Sequence, residues 1–200
     1  PVTVRGTLDT YILALSTLIN APVVSVDNIG QRTYEMSKLQ IIGNRTGNTP
    51  GLQIGGCRNS VFKQLVFTSC SAGIRIQPTH PDSGDVENIE LNHIWTVQCN
   101  VGIHVATNSS ISRGNITDGT FQNLQLTADS AQGGDGIPLL FTASAGKQIF
   151  GLKFDRVFTS AGVNTHLNFL PNAGKIFSNF FSNITGEPRG AVDQRAATIS

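Results

Sequence analysis

Carboxylates near three lengthened connections are the first candidates for chemistry in this chain. These connections are Gln77–Asp85, Ala106–Gly119 and Ala128–Gly136. The acidic residues in or beside them are Asp82, Asp85, Glu87, Glu90, Asp118, Asp129 and Asp135. Hydrolysis of a glycosidic bond uses two carboxyl groups, about 5–5.5 Å apart for retention and about 6.5–9.5 Å apart for inversion. Because turns of chain stacked about 4.8 Å apart can supply such pairs, we expect any catalytic pair to come from Asp129, Asp135 and Asp155. A solvated charge on a sheet face is the alternative for Asp155 and Glu90.

Polar and aromatic side chains at outward positions form a candidate glycan-binding set. Its members are Arg75, Glu90, Asn92, Trp95, His104 and Asn168. Sugar rings present apolar C–H faces that stack on aromatic rings, so Trp95 beside Asn92 could serve as a platform. His104 could bind a sugar hydroxyl or act as a base. The alternatives are an ordinary surface histidine, and a tryptophan that packs inward or lies at a subunit contact.

The remaining chemistry-bearing residue types form no recognisable site. Cys57, Cys70 and Cys99 include no CxxC pair and cannot all pair with one another, so we expect small buried hydrophobes. The four histidines show no HxxxH or HxxEH spacing, and no metal site is predicted. The sequence from Gly133 to Gly136 is better explained as a turn than as a phosphate loop, because no helical pattern follows it. No cofactor is expected.

Composition argues against several classes of function. Only 14% of the residues are charged, the formal net charge is +1, and Arg and Lys are scattered. No field that would gather nucleic acid or anionic lipid is therefore expected. The chain has no run of 18 apolar residues, so no membrane span is predicted. Its first residues show no basic segment followed by an apolar one, so no signal peptide is predicted.

An internal repeat predicts the scaffold that must position these side chains. Short alternating runs are anchored at Ile41, Phe67, Leu91, Leu126, Phe154 and Phe181. The residue five before each anchor is apolar in all six runs, the residue two before is apolar in five, and the positions between are mostly polar. Alternation is typical of a half-buried strand, and the five-residue offset breaks it, which predicts a corner. Six stacked turns predict an all-β, single-stranded, right-handed parallel β-helix.

A second strand follows each anchor and usually begins at glycine. The runs are Gly51–Ile54, Gly73–Ile76, Gly102–Val105, Gly136–Leu139 and, without glycine, His166–Phe169. Glycine suits a corner because it takes positive φ at little cost. The residues expected in one outward row are Gln53, Arg75, His104, Pro138 and Asn168. The departure at His166 has no explanation in the sequence alone.

The repeat divides the chain into three segments. Residues 1–22 are predicted as an N-terminal strand and capping helix, residues 23–185 as the β-helix, and residues 186–200 as a tail or the start of a following segment. The helical spacing rests on Leu8, Tyr11, Ile12, Leu15, Leu18 and Ile19. Asp9 is the expected N-cap. Within 200 residues, one domain is expected.

The opening third resembles the entry to pectate-lyase-like β-helices. It reads as a helix at Tyr11–Asn20, a strand at Val23–Val26, the segment Gly30–Tyr34, and a first turn at Leu39–Gly43. Irregular turn lengths and outer rows rich in Asn, Thr and Ser look most like bacteriophage tailspikes and tail-associated depolymerases. The Asp-Asp, Gly-His-Gly and Arg-x-Lys signatures of polygalacturonases do not occur here, and no Asp cluster matches the calcium-dependent pectate lyases. No catalytic residue is therefore carried over by motif.

The resemblance implies a virion tail protein that recognises bacterial surface polysaccharide outside the cell. Outward Ile42, Val66 and Phe180 indicate a lateral face buried in a homotrimer. A polysaccharide hydrolase or lyase on the same scaffold is the alternative. A non-binding structural spacer of a tail or adhesin is the third interpretation.

Overall fold

The described chain is a parallel β-solenoid of about five turns. The computed structural model describes residues 2–7, 10–14, 20–26, 32–44, 47–81, 84–129, 136–161, 166–188 and 198–199, and these contain strands but no helix. In chain order the strands are β1 (Val2–Arg5), β2 (Tyr11–Leu13), β3 (Val24–Ser25), β4 (Tyr34–Ile42), β5 (Leu52–Ile54), β6 (Val61–Thr68), β7 (Ala72–Ile76), β8 (Val86–Glu87), β9 (Glu90–Cys99), β10 (Val101–Ala106), β11 (Ile116–Thr117), β12 (Thr120–Ala128), β13 (Ile137–Thr142), β14 (Gln148–Phe150), β15 (Lys153–Ala161), β16 (Leu167–Leu170), β17 (Lys175–Phe177), β18 (Phe180–Pro188) and β19 (Thr198–Ile199).

Three parallel sheets run along the solenoid, because successive turns add strands to each of them. The first sheet has the order β1-β4-β6-β9-β12-β15-β18, with β2 also paired to β4. The second has the order β19-β16-β13-β10-β7-β5-β3, and the third β17-β14-β11-β8. Strand pairs in all three sheets are parallel. The predicted all-β parallel solenoid is confirmed, but it has about five turns where the sequence predicted six.

Three rows of inward residues on the first sheet form much of the core. The rows are Met36, Phe62, Leu91, Phe121, Phe154 and Phe181; Leu39, Leu65, Ile94, Leu124, Val157 and Ile184; and Ile41, Phe67, Thr96, Leu126, Thr159 and Gly186. The predicted anchor row was therefore wrong in register, since Leu91, Phe154 and Phe181 belong to the first of these rows. Thr96 and Thr159 hold the anchor positions of their turns, and a search for apolar residues passes over them.

Left-handed backbone residues mark the corner within each first-sheet strand. Lys38, Gln64, His93, Asn123, Arg156 and Asn183 hold equivalent positions, with φ between 52° and 58°. Five residues before them, Asn59, Asn88, Asp118, Gly151 and Ser178 also have positive φ. One left-handed residue interrupts the alternation of side chains along a strand, so residues three apart on either side of it, such as Met36 and Leu39, are both buried. The corner predicted from the five-residue offset is confirmed.

Lack of space, rather than positive φ, explains the glycines that open the second-sheet strands. Gly51, Gly73 and Gly102 do not have positive φ. A Cβ on Gly73 would lie 2.6 Å from Cγ2 of Thr96 and 2.8 Å from the carbonyl oxygen of Gly102. Because these distances are shorter than van der Waals contact, only glycine lets the strand approach the corner of the first sheet.

In the fourth and fifth turns, a residue other than glycine holds the position that opens the second-sheet strand. Leu139 aligns with Ile103 and with Leu167, which puts Pro138 in the glycine position and Leu140 in the outward row. The prediction that Pro138 faces outward in that row was wrong, because the fourth-turn glycine, Gly136, lies two residues before the aligned position.

His166 replaces glycine in the fifth turn because its neighbours leave room for a ring. The side chain is buried, and its Nδ1 is 2.9 Å from Oγ1 of Thr159. Gly186 lies alongside, and a Cβ there would be 3.2 Å from Nδ1. Threonine and glycine in this row thus provide the volume that the imidazole occupies, which explains the departure seen in the sequence.

The prediction of an N-terminal helix was wrong at Tyr11–Leu13, which the structure describes as a strand. Tyr11–Leu13 forms β2, which pairs in parallel with Gln40–Ile42 of β4. An extended segment satisfies the edge of β4 and still packs Ile12 against the core. Leu8, Asp9, Leu15, Leu18 and Ile19 lie outside the described residues.

The three cysteines lie in the hydrophobic core. Cys57, Cys70 and Cys99 are fully buried, and none forms a disulfide, which confirms the prediction that they are small buried hydrophobes. Towards the C-terminal end the core is aromatic. Phe154 stacks between Phe121, at 4.4 Å between ring centroids, and Phe181, at 4.9 Å.

Candidate functional site

The candidate side chains lie on the outer sides of two different sheets. Glu90, Asn92 and Trp95 are on β9 and Asp155 is on β15, both in the first sheet. Arg75, His104 and Asn168 are in one row of the second sheet. The described structure therefore separates the predicted set into two groups.

A continuous polar surface, here called the corner ladder, follows the corner of the first sheet. Its two rows are Arg5, Ser37, Lys63, Asn92, Gln122, Asp155 and Ser182, and Lys38, Gln64, His93, Asn123, Arg156 and Asn183. All thirteen residues are polar, and all except Ser37 are at least partly exposed. Of the predicted set, only Asn92 and Asp155 belong to it. The sequence signal was present, but the incorrect register concealed it.

Hydrogen bonds connect the middle rungs of the corner ladder across successive turns. Nδ2 of Asn123 donates to Oδ1 of Asn92 at 2.9 Å, and Nε of Arg156 donates to Oδ1 of Asn123 at 2.7 Å. Asn92 in turn donates to Oε1 of Glu90 at 3.2 Å. These side chains are held in place by one another, so the surface they present is preorganised.

Asp155 is an ionised acceptor rather than a proton donor. Its Oδ1 accepts hydrogen bonds from Asn183 at 2.7 Å and Ser182 at 2.8 Å, and its Oδ2 lies 3.0 Å from Nη1 of Arg156. The hydrogen bond from Asn183, followed by that from Ser182 and the charge of Arg156, holds the pKa of Asp155 below its usual value. A general acid needs a raised pKa, so this environment suits binding better than acid catalysis.

The three aspartates of the predicted catalytic group do not converge where they are described. Asp155 aligns with Gln122, whereas Asp129 follows the end of β12, seven residues further along that strand. At about 3.3 Å per residue, seven residues correspond to about 23 Å along the strand, well beyond the spacing of a catalytic pair. Asp135 lies outside the described residues, as does Asp82.

Other described carboxylates have structural partners. Asp85 accepts hydrogen bonds from the backbone N–H groups of Gly114 and Asn115, at 2.7 and 2.8 Å. Glu87 pairs with Arg58 at 2.8 Å. Within the aligned strands that the structure describes, no two carboxylates with described side chains face each other on adjacent turns.

Trp95 is an exposed aromatic residue beside the corner ladder. Its side chain is 46% exposed, and it aligns with Val66 on one neighbouring turn and Gln125 on the other. It follows the left-handed residue His93 by two positions. The alternative of a tryptophan packed into the solenoid core is therefore wrong.

The second-sheet row is less accessible than the corner ladder. Gln53 and Leu140, which belong to this row, are buried. Arg75 donates a hydrogen bond to Asn48, and Nε2 of His104 is 3.1 Å from Oγ1 of Thr142. Burial, reinforced by the charge of Arg75, lowers the pKa of His104 to about 4. His104 is therefore neutral at pH 7.

A basic cleft lies at the N-terminal end of the corner ladder. Arg5, Lys38 and Lys63 line it together with Glu35, Gly6 and Ser37, and its volume is about 380 Å³. Sequence reasoning missed these cations, because they are far apart in the chain and only the stacking of β1, β4 and β6 brings them together.

The described ranges contain no metal site of the usual kind. No group of three or more His, Cys, Asp or Glu side chains in them could hold a metal ion. The same ranges contain no helix with the length and apolar character needed to cross a membrane.

Comparisons with protein-family models, with curated proteins and with solved structures found no match to this chain. The resemblance to pectate-lyase-like β-helices is therefore supported only at the level of the parallel β-solenoid fold.

Proposed function

We propose that this chain is a glycan-binding β-solenoid, a tailspike-like receptor-binding protein of a virion tail that recognises bacterial surface polysaccharide. The observation that carries the proposal is the corner ladder, which is polar in every turn from Arg5 to Ser182. Its seven rungs, about 4.8 Å apart, extend for about 29 Å. A polar strip of this length offers contacts to several successive sugar residues.

The hydrogen-bond donors and acceptors of the rungs suit recognition of sugar hydroxyls. Lys63 is a donor, Asn92 and Gln122 each carry donors and an acceptor, and ionised Asp155 is an acceptor. Sugar hydroxyls both donate and accept, so a mixed row of this kind can bind them in either direction. The hydrogen bonds that already fix Asn92 and Asp155 reduce the entropy lost when a ligand binds.

Trp95 supplies the apolar contact that the polar rungs lack. Stacking of a C–H face of a sugar on the indole would orient the ring, while Asn92 and His93, on the same strand, contact its hydroxyls. Asp155 aligns with Gln122 and Ser182 rather than with a second carboxylate, and hydrolysis uses a pair of carboxyl groups, so this surface suits recognition better than hydrolysis. Arg75, His104 and Asn168 form a separate surface on the second sheet, and binding there is a distinct hypothesis.

Assembly as a homotrimer is part of the same proposal. Tyr11 and Leu13 are 55% and 65% exposed, and they align with Gln40 and Ile42 of the next strand. Together with Val66, the residues Tyr11, Leu13 and Ile42 form a lateral apolar patch over the first turns. Contact between three copies through this patch would remove it from water.

Replacing Trp95 with alanine tests the proposed function. We expect W95A to weaken binding to a recognised surface polysaccharide about fivefold, since an aromatic stacking contact contributes about 1 kcal/mol and a factor of ten corresponds to about 1.4 kcal/mol. The matched control is F177A, because Phe177 is 43% exposed but lies in the third sheet. Glycan arrays followed by calorimetry measure the affinity, and sedimentation checks that the mass of each variant is unchanged.

Two results would contradict the proposal. If the wild-type chain binds none of a broad panel of bacterial surface polysaccharides, the glycan-binding function is wrong. If W95A and F177A bind equally well, or if W95A changes the mass of the assembly instead of the affinity, Trp95 is not the platform.

A further inference from the structure

The N-terminal end of the corner ladder concentrates positive charge. Arg5 and Lys63 are rungs of one row and Lys38 is the first residue of the other, and all three line the basic cleft. Arg5 is 65% exposed and Lys63 is 45% exposed. Their charged groups are therefore accessible to a ligand.

One carboxylate, that of Glu35, contacts two of these three cations. Oε1 of Glu35 lies 2.8 Å from Nη2 of Arg5 and 3.6 Å from Nζ of Lys63. The hydrogen bond from Arg5 holds the pKa of Glu35 below its usual value, so this carboxyl is ionised at neutral pH. Three cations and one carboxylate leave two uncompensated positive charges in the cleft.

The excess of positive charge in the basic cleft is local. The whole chain has a formal net charge of only +1. Elsewhere on or near the ladder, Arg156 is paired with Asp155 at 3.0 Å and Arg58 with Glu87 at 2.8 Å. Among the described residues the basic cleft is thus where the ladder carries cations in excess of carboxylates.

We propose that the basic cleft binds the carboxylate of an acidic sugar, so that the polysaccharide recognised by the corner ladder is a uronic-acid-containing one. This inference rests on the proposed function and adds the class of glycan to it. The planar guanidinium of Arg5 matches a carboxylate in geometry, and the two lysines add charge. The neutral polar rungs beyond the cleft would then contact the hydroxyls of adjoining sugars.

The experiment compares one capsular polysaccharide that carries a uronic acid in each repeating unit with the same polymer after carboxyl reduction. Binding of both to the full chain is measured by calorimetry at low and at physiological salt. The variants are K38Q and K63Q, which remove a cation, and E35Q, which removes the carboxylate. K153Q is the control, because Lys153 is exposed on the first sheet and outside the cleft.

We expect carboxyl reduction to weaken binding and the variants to act in opposite directions. A charge pair at 4 Å contributes about 1 kcal/mol in water, or about fivefold in affinity. K38Q and K63Q should each weaken binding of the acidic polymer about fivefold, E35Q should strengthen it by a similar factor, and K153Q should leave it unchanged. Added salt should reduce these differences.

The outcomes separate this inference from the proposed function. If both polymers bind equally and W95A weakens both, glycan binding stands and the acidic-sugar inference is wrong. If K153Q weakens binding as much as K38Q, or E35Q weakens it, the cleft is not the site. If neither polymer binds, the inference is overturned as well. Inorganic phosphate is added as a competitor, and displacement of the acidic polymer by millimolar phosphate would overturn specificity for carboxylate.

Discussion

Acidification should destabilise the solenoid through His104, and the structure sets the size of the effect. Burial and the neighbouring charge of Arg75 lower the pKa of His104 from 6.5 to about 4. In the unfolded chain the imidazole takes up a proton near pH 6.5, whereas in the folded chain it does so only near pH 4. The stabilisation is therefore complete above pH 6.5 and is lost as the pH falls between these two values.

The difference between the two pKa values corresponds to about 3 kcal/mol of unfolding free energy. His166, whose pKa is also lowered by burial, acts in the same direction. Glu35 and Asp155 have lowered pKa values, so their contribution is lost only below their usual values, at more acid pH. Measurements between pH 6.5 and 4.5 thus report mainly on His104 and His166.

A single substitution isolates the contribution of His104. Glutamine already occupies the equivalent position two turns away, at Gln53, so H104Q should fold. Urea unfolding followed by circular dichroism at several pH values gives the free energy. We expect the wild type to lose about 2 to 3 kcal/mol more than H104Q between pH 6.5 and 4.5.

A control and a refuting result complete this test. H93Q replaces an exposed histidine at a left-handed position where the adjacent turn has Gln64, and it should retain the wild-type pH dependence. Parallel curves for the wild type and H104Q over this pH range would show that the imidazole is as easily protonated in the folded chain as in water, and the reasoning would fail.

Two further predictions concern packing and assembly. G186A should lower the unfolding free energy by about 1 to 2 kcal/mol, because its Cβ would crowd the ring of His166 and overpacking has costs of this size. Thermal melting should show that the double variant G186A/H166A recovers part of the lost stability. If the losses from the two substitutions simply add, the contact is refuted. L13D should convert the proposed homotrimer to monomers, because it places a charge in the lateral apolar patch. Sedimentation equilibrium should give three times 21.3 kDa for the wild type, and a monomeric wild type would contradict the trimer.

The fold could be predicted because its strongest signal is local and repeated. Apolar residues five and two positions before each anchor recur in nearly every turn, and stacking requires only that equivalent positions be equally apolar. The exact register could not be predicted in the same way. Thr96 and Thr159 lie in the core row, where Thr96 is hydrogen-bonded to Thr127 and Thr159 to His166, and such satisfied polar residues cannot be recognised from their type.

The candidate site was harder to predict because it depends on that register. An error of five residues in one turn moves a side chain to another part of the surface, so Glu90 was expected in the row between Val66 and Gln125, a position that Trp95 holds. The basic cleft shows the same limit, since Arg5, Lys38 and Lys63 are ordinary scattered cations until the strands are stacked. The pairing of His166 with Gly186 likewise depends on contact between residues on different turns.

The left-handed corners separate the part of each turn that is fixed in length from the part that varies. The two corners are five residues apart in each of the turns from Asn59 to Asn183 where both are described. The connection between the first and second sheets, in contrast, ranges from one residue between β9 and β10 to nine between β4 and β5. Insertions in such a connection would leave the axial rise and the core rows unchanged. The architecture is thus modular: loops of different lengths can be displayed at regular intervals along a rod whose interior does not need to be redesigned.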